Sequence, residues 1–361
     1  MIRRYLYILF AWMTILLVGC DVHQWPEQSQ EPATPGPSPD YPKMTIPLSL
    51  EYETDFYVWE HRYDPLLGKV EEVDPSLSIF PDFPGASSKY ESILPEGKLQ
   101  VYVKVFPTSN PSRCIAEQTF TRELNGNSYD TDLEIEVQGY EVYDIVVWSQ
   151  FLAPSQDDPF YDSSNFNKVQ LIPENYRGNT DYRDGFRGRI RVDATTEING
   201  KYVVRMNRPM GKFELVTTDL SEFLDRETEL RKLSSRARVE DYRVIITFPY
   251  YFPSSYSAMD DRLENSVPGV SFETRMTVTG ESEASLGFEY VMLNNMMDNG
   301  VQASVNVYRM DGTRVAGSSV FTIPMRRDYH TLLRGAFLAM EGSGGVGIDP
   351  SFNGDHNITW Q

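Results

Sequence analysis

The chain has 361 residues and carries 33 Lys and Arg against 52 Asp and Glu, a formal net charge of −19. So acidic a chain is repelled by nucleic acid phosphates and by anionic lipid, which argues against both as charge-driven partners. Its length exceeds what one hydrophobic core usually serves, so two folded domains are expected.

The first twenty residues match the export signal of a bacterial lipoprotein. Two arginines precede the apolar run Tyr5–Val18, which is too short for a bilayer span of about 20 residues. The segment Leu17-Val18-Gly19-Cys20 then has the lipobox pattern. We predict a signal peptide over residues 1–19 and lipidation of Cys20, with palmitate among its acyl chains, which holds the protein to a membrane. The alternative is a core helix that happens to end in a cysteine.

Residues 20–43 are a predicted tether. Six prolines interrupt their polar sequence: Pro26, Pro32, Pro35, Pro37, Pro39 and Pro42. Proline fixes φ and lacks an N–H, so the segment favours an extended, semi-rigid conformation over helix or sheet. At about 3.1 Å per residue it spans roughly 70 Å at most. The folded part is therefore expected outside the cytoplasm, held clear of the membrane to which the lipid attaches it.

From residue 44 onward, apolar residues mostly alternate with polar ones, the period of strands with one buried face. The first such strand is Thr45–Tyr52, with Ile46, Leu48, Leu50 and Tyr52 on one face. Further alternating sets are Leu99/Val101/Val103/Val105, Leu133/Ile135/Val137, Val244/Ile246/Phe248 and Ala303/Val305/Val307. We predict an all-β fold of two antiparallel β-sandwiches, over residues 44–198 and 199–361.

Two segments depart from simple alternation. Apolar residues recur with a 3.6-residue period after Asp219, which predicts one short helix near 219–233 with Asp219 as its N-cap and a Glu227–Arg231 ion pair. Asp311-Gly312 separates two strand-like runs and predicts a hairpin with a type I′ turn, because both positions tolerate positive φ.

Motifs for catalysis or metal binding are missing from the sequence. The segment Gly342–Gly347 matches G-x-G-x-x-G, but Pro350 prevents the helix that a nucleotide site needs. We find no zinc or serine-hydrolase motif and expect no enzyme activity, metal or cofactor. Two alternatives stay open: a carboxylate pair acting as a glycosidase, and calcium at oxygen-rich clusters. The candidate calcium ligands are Asp157, Asp158 and Asp162, and Asp349, Asn353, Asp355 and Asn357.

Aromatic residues make up 13% of the chain, and exposed Tyr and Trp often bind sugars or partner surfaces. Trp59 and Trp148 lie in or beside predicted strands and are expected in the core. The pair Tyr250-Tyr251 follows a predicted strand. A surface glycan-binding lipoprotein without catalysis is therefore an alternative function.

Three further segments resemble the fimbrillin-like and fimbrial-anchor (Mfa2/FimB-type) lipoproteins of Bacteroidetes. Arg208–Leu215 is similar to the motif that begins their second domain, and Arg326–Gly335 to their penultimate segment. Gly345–Gly354 looks like their closing motif. The resemblance implies two tandem transthyretin-like sandwiches, a place at the outer membrane facing the cell exterior, and fimbrillin-like protein subunits as partners.

The same resemblance implies a way of assembling. In fimbrial subunits of that family, cleavage after an arginine in the loop following the first strand removes that strand, and a neighbour's strand fills the groove. Here Thr45–Tyr52 is the candidate exchanged strand, and Arg62 is the candidate cleavage site as the nearest loop arginine. The alternative is a permanent first strand with Arg62 as a solvated side chain. The chain stops soon after the closing motif, which favours an anchor or assembly component of fimbria-like filaments over a repeating subunit.

Overall fold

The computed structural model of the protein describes residues 43–73, 89–90, 97–124, 129–139, 141–152, 159–294 and 299–338. All of them belong to one unit, which begins at Lys43. The signal peptide, Cys20, the tether, the glycine-rich segment and the closing motif lie outside these residues. No helix within the described ranges is long and apolar enough to cross a membrane.

Strands dominate the described chain, which confirms the all-β prediction. The first half contains β1 Lys43–Tyr52, β2 Phe56–Asp64, β3 Lys69–Glu72, β4 Lys89–Tyr90, β5 Gly97–Pro107, β6 Ala116–Leu124, β7 Thr131–Gln138, β8 Val142–Leu152, β9 Tyr161–Asp162, β10 Val169–Leu171 and β11 Gly185–Asp193. The second contains β12 Tyr202–Met206, β13 Met210–Thr217, β14 Tyr242–Phe248, β15 Phe252–Ser257, β16 Arg262–Val267, β17 Val270–Thr274, β18 Thr277–Val278, β19 Ala284–Met292, β20 Asn299–Arg309, β21 Arg314–Gly317, β22 Phe321–Met325 and β23 Tyr329–Gly335. The helix α1 spans Leu220–Leu230, between β13 and β14.

A first hydrophobic core lies between two sheets, one ordered β12-β1-β7 and the other β11-β8-β5-β6. The alternating residues of the sequence supply it, since period-two strands present every second side chain to the same face. Its fully buried members include Ile46, Leu48, Leu50, Leu99, Val101, Val103, Ile145 and Val147. We call this the first core.

A second, larger core involves a mixed sheet ordered β18-β19-β13-β23-β2-β3 and a sheet ordered β17-β14-β20-β21. Helix α1 contributes Leu220, Phe223 and Leu224 to it. A further sheet, ordered β16-β15-β10-β9, adds Val169 and Tyr256. We call this the second core. The predicted division between residues 198 and 199, and the transthyretin-like topology, remain predictions.

Strand β2 pairs in parallel with β23, from Tyr57↔Tyr329 to Tyr63↔Gly335. Strand β1 instead lies in the first sheet pair, although only Glu53–Asp55 separate it from β2. The chain therefore crosses from the first core to the second within three residues. This crossing brings β2 next to β23, the last described strand.

The predicted helix is confirmed, but its local contacts differ from the prediction. The Asp219 side chain makes no hydrogen bond to the helix amides and instead accepts from the Thr217 hydroxyl and the Leu338 amide. Glu227 is buried and pairs with Arg309 at 2.8 Å, so the expected Glu227–Arg231 ion pair is wrong. Tertiary partners replace the local ones because both carboxylates are buried, and a buried carboxylate needs hydrogen-bond donors, here Thr217 and Leu338 for Asp219 and Arg309 for Glu227.

The predicted hairpin is confirmed as β20 paired with β21, but its turn is not type I′. A type I′ turn needs positive φ at both central residues. Gly312 has φ +89°, whereas Asp311 is not among the positive-φ residues. The Gly312 amide donates to the Arg309 carbonyl, so Met310 and Asp311 occupy the turn and Gly312 the left-handed position after it.

Candidate functional site at the first strand

Strand β1 contains every residue of the candidate exchange segment. Ile46, Leu48 and Leu50 are fully buried in the first core, whereas Thr45 is exposed on the opposite face. The Tyr52 ring packs edge-on against Phe186 at 5.2 Å. Each fully buried aliphatic side chain contributes about 1.5–3 kcal/mol, so β1 is a substantial part of the first core.

Backbone pairing holds β1 on both sides. The antiparallel register with β7 runs from Lys43↔Gln138 to Leu50↔Thr131. The parallel register with β12 runs from Leu48↔Tyr202 to Tyr52↔Met206, and so begins directly after Pro47, which has no amide hydrogen. Removing β1 would therefore leave two strands with unpaired backbone groups and a groove lined by the first core.

Arg62 is not in a loop, so that part of the prediction is wrong. It lies inside β2, in register with Glu71 of β3 and Arg334 of β23, and its side chain is exposed. The loop assignment failed because β2 extends to Asp64 and the turn follows at residues 65–68. A protease that cut after Arg62 would need β2 to leave its sheet first.

A buried arginine holds the crossing between β1 and β2. The Arg208 side chain is 0% exposed, and its guanidinium donates to the carbonyls of Thr54 and Asp55 at 3.0 and 3.4 Å. It also stacks over the Phe56 ring at 3.8 Å. Arg208 thus satisfies buried carbonyls of the link between the two cores.

Carboxylates neutralise this arginine. Arg208 Nε donates to both carboxylate oxygens of Asp184, at 2.8 and 2.9 Å. Burial alone would lower the pKa of Arg208, but the Asp184 carboxylate outweighs it and raises that pKa above its usual value. Asp328 lies 3.9 Å away, and burial raises its pKa to about 6 against the opposing effect of Arg208.

Asp328 also fixes backbone at the crossing. It has φ +60°, its amide donates to the Met210 carbonyl, and its carbonyl accepts from the Tyr57 amide. These bonds connect the start of β13 and the start of β2 to the turn before β23. Aspartate is among the few residues besides glycine that adopt such a φ readily.

A second buried pair lies beside the first. Arg183 and Glu289 are 2% and 1% exposed and approach to 3.4 Å. The Tyr176 hydroxyl donates to Glu289 at 2.9 Å, and the Arg183 guanidinium lies 4.7 Å from the Tyr176 ring centroid. We call the two pairs and Asp328 the junction ion cluster: Arg183, Asp184, Arg208, Glu289 and Asp328.

No role for the junction ion cluster was predicted from the sequence. The only sign of it in the sequence is a charged residue, Arg208, at the start of the apolar strand motif Arg208–Leu215. The structure places that motif on β13, which pairs in parallel with β23 from Lys212↔His330 to Thr217↔Gly335. Gly211 fits this arrangement, because a Cβ there would lie 2.4 Å from the Arg326 carbonyl oxygen. Two of the three segments that carried the resemblance are therefore neighbours in one sheet.

The aromatic candidates for glycan binding separate into two groups. Trp148 is 0% exposed and Trp59 6%, which confirms both as core residues. Tyr250 and Tyr251 are 51% and 76% exposed in the connection between β14 and β15. Of the aromatic residues named from the sequence, only this pair offers accessible rings among the described residues.

Within the described ranges, no group of three His, Cys, Asp or Glu side chains is placed to hold a metal ion. Of the calcium candidates, Asp162 is described, in β9, and its carboxylate accepts from the Ser164 amide at 3.0 Å. The others lie outside the described residues. The buried carboxylates of the junction ion cluster face arginines, not an open cleft.

Comparison with known proteins gives one family match and several structural neighbours. The model of a family of unknown function, DUF6562, matches residues 70–361. No curated protein sequence matches the chain.

Three structural neighbours illustrate the likeness. The fimbrial anchor protein Mfa2 from Porphyromonas gingivalis is 11% identical with a TM-score of 0.36, and the match covers 76% of this chain and 82% of that one. A fimbrial assembly protein from Parabacteroides distasonis is 12% identical with a TM-score of 0.37, covering 81% and 92%. A candidate cell adhesion protein from Bacteroides eggerthii is 10% identical with a TM-score of 0.40, covering 86% and 91%.

Proposed function

Because the chain belongs to a family of unknown function (DUF6562), its role has to be inferred from its own residues, and we propose that it is a lipid-anchored structural protein of the cell surface. In this proposal it is an anchor or assembly component of fimbria-like filaments at the outer membrane, and its contacts with other subunits are made through β-strands. It has no catalytic role and needs no cofactor.

The observation that carries the proposal is the position of β1. The lipobox and the proline-rich tether lead directly into this strand, which is paired on both sides and buried in the first core. A pull through the tether enters the fold at Lys43, at one end of a ten-residue strand. Force along a strand loads its ladder of hydrogen bonds together, whereas force across it would break them one at a time.

The junction ion cluster supports the same role. Arg208 lies just before β13 of the second core, donates to the Thr54 carbonyl of the β1–β2 link, and pairs with Asp184, which precedes β11 of the first sheet pair, so the link is tied to both cores and is not a free loop. An anchor needs such continuity between its tethered end and the rest of its body. We therefore propose that β1 is a permanent strand and that Arg62 is not cut in the assembled protein.

Intact-mass spectrometry of protein taken from the native cell surface tests both the lipid and the cleavage. We expect a mass that begins at acylated Cys20 and ends at Gln361, with a fimbrillin-like subunit in the same preparation. A mass that begins near Tyr63 would instead make the protein a processed subunit that polymerises by strand exchange. An unacylated mass that still begins at Met1 would overturn the lipoprotein assignment.

Substitution of the lipidated cysteine tests the anchor separately. Cys20→Ala should release the protein from membranes and leave its unfolding unchanged, because Cys20 precedes the folded unit, which begins at Lys43. Cys114→Ala is the matched control: Cys114 is exposed, and its loss should leave the protein membrane-bound. The measurement is the fraction that sediments with membranes after a high-salt wash. Sedimentation of the Cys20 variant would contradict the proposal.

Glycan capture is a second candidate function, favoured by the exposure of Tyr250 and Tyr251. Adjacent exposed aromatic rings can stack on sugar faces. Binding on a glycan array that is lost in Tyr250→Ala/Tyr251→Ala, but kept in a variant of the exposed Met310, would support it. If the array shows no binding, the structural role is the only candidate function that remains.

A further inference from the structure

The first sheet pair has an open side formed by two edge strands. Strand β7 ends the sheet ordered β12-β1-β7, and β6 ends the sheet ordered β11-β8-β5-β6. Among the strands that the structure describes, none pairs with the outer edge of either. Such an edge presents unpaired N–H and C=O groups, which are a template for another strand.

An opening of about 390 Å³ lies between these two edges. Its lining comes from β6 and β7: Gln118, Phe120, Thr121, Arg122, Thr131, Asp132, Leu133 and Glu134. Phe120 and Leu133 are half-buried and pack against the first core from either wall. Arg122 spans one end of the opening, since its guanidinium donates to the Tyr129 carbonyl at 3.1 Å.

Strand β7 lacks three of the devices that usually protect an edge: a proline, a bulge and an inward-pointing charge. Its eight residues contain no proline, and its register with β1 runs without a bulge. Its inward side chains Leu133, Ile135 and Val137 are apolar, so no charge points into the sandwich from this strand. Proline, bulges and inward charges are the features by which natural edges avoid added strands.

The outward face of β7 carries acids at alternate positions. Asp132, Glu134 and Glu136 are all exposed. Asp132 pairs with Lys201 and Glu136 with Lys43, whereas Glu134 has no ion pair among the described residues. A second copy of β7 laid along this edge would place acid opposite acid, which destabilises a strand pair. A strand with Lys or Arg at those positions would instead pair with them, and its other side chains would face the opening beside Phe120 and Leu133.

We propose that β7 accepts, along its outer edge, an extended segment of another protein in which apolar residues alternate with Lys or Arg. The backbone hydrogen bonds of β7 give the affinity, and the alternation gives the specificity. This proposal extends the proposed function and depends on it for one point only, the kind of partner protein that supplies the segment. It differs from strand exchange at β1, because here no strand of this chain has to leave.

A direct test uses the full-length lipoprotein in detergent micelles and a fluorescent eleven-residue peptide in which lysine alternates with valine. A peptide of the same composition with its lysines and valines in two blocks has the same charge but no alternation. We expect the alternating peptide to bind more than about tenfold more tightly than the block peptide. Bound peptide should slow hydrogen exchange at residues 131–138 more than elsewhere.

Two charge-equivalent variants locate the site. Glu134→Lys reverses a charge at the middle of the β7 edge, and Glu229→Lys reverses one on the exposed face of α1. Glu134→Lys should weaken binding about tenfold and Glu229→Lys less than about twofold.

Equal weakening by both variants, equal binding of the two peptides, or slow exchange, before any peptide is added, at the β7 amides that point away from β1 would overturn the inference. The last result would mean that a segment of this chain already covers the edge. Co-purification with fimbrillin-like subunits that survives Glu134→Lys would refute the edge site and leave the proposed function standing.

Discussion

Strand β1 and the junction ion cluster stabilise the same crossing by opposite means. In β1, Ile46, Leu48 and Leu50 leave water for an apolar core, so each contributes favourably by itself. In the cluster, Arg208 and Asp184 lose their hydration, and their attraction mainly offsets that cost. The comparison teaches that β1 supplies stability, whereas the cluster fixes where the chain passes from one core to the other.

The two regions also differ in how they fail. An apolar side chain that is shortened leaves a cavity, and its neighbours partly relax. A buried ion that loses its partner leaves an uncompensated charge, which cannot relax. Single substitutions in the cluster should therefore cost more than single truncations in β1, although the intact cluster contributes less.

The largest effect is expected from Arg208→Met. Removing this cation leaves the buried Asp184 carboxylate without its ion-pair partner and the Thr54 carbonyl without its donor. We therefore expect the free energy of unfolding to fall by about 3–5 kcal/mol. Urea unfolding measures it. Trypsin should also cut faster at Arg62, because β2 would open more often.

The double variant Arg208→Met/Asp184→Leu sharpens this comparison. With both charges replaced by apolar groups, most of the loss should return, since apolar replacements of a buried ion pair are often neutral. The loss that remains measures the hydrogen bonds of Arg208 to the β1–β2 link. A double variant as unstable as the single one would show that Arg208 acts through the link and not through its charge pair.

A smaller loss, about 2–4 kcal/mol, is expected from Leu48→Ala, because it removes a fully buried side chain at the centre of β1. The control is Lys43→Ala on the same strand, where the exposed Lys43–Glu136 ion pair is worth less than about 1 kcal/mol. Equilibrium unfolding of both variants checks the difference. Equal effects would mean that β1 is not packed as the structure shows.

Much of β1 could be predicted from the sequence and little of the cluster. Alternation of Ile46, Leu48 and Leu50 is a local pattern, and a local pattern suffices to place a strand and its buried face. The carboxylate partners of Arg208 are Asp184, which directly precedes β11, and Asp328, in the turn before β23. They lie 24 and 120 residues away along the chain. Spacing along the chain carries no such information, which is also why Glu227 was paired with Arg231 and not with Arg309.

The error at Arg62 has a related cause. Trp59, His61 and Tyr63 are buried and alternate with the charged residues Glu60, Arg62 and Asp64, so a period-two pattern is present in the sequence. The buried face of this stretch contains a histidine and no aliphatic residue, so it does not match the apolar alternation that marks β1. Its burial is completed by β23, which lies about 270 residues further along the chain.

The smallest predicted effect concerns Asp328, the half-buried member of the cluster. Its pKa is raised to about 6 in the folded protein, above its ordinary value of 3.8. The folded state therefore holds a proton that the unfolded state releases, and between about pH 4 and pH 6 this group makes stability fall as pH rises. Asp328→Asn keeps a residue that tolerates φ +60° and removes the charge, so it should be more stable than the parent at pH 7.5 by about 1–2 kcal/mol, a figure reduced for partial exposure.

At pH 4 the same variant should differ little from the parent, because Asp328 is then largely protonated in the folded state and the parent bears no penalty. Taking the difference between the two proteins cancels every other titrating group, since both contain them. A difference that stays constant between pH 4 and pH 7.5 would mean that folding does not raise the pKa of Asp328. The attraction of Asp328 to Arg208 would then fully offset its desolvation, as the attraction between Arg208 and Asp184 is expected to do.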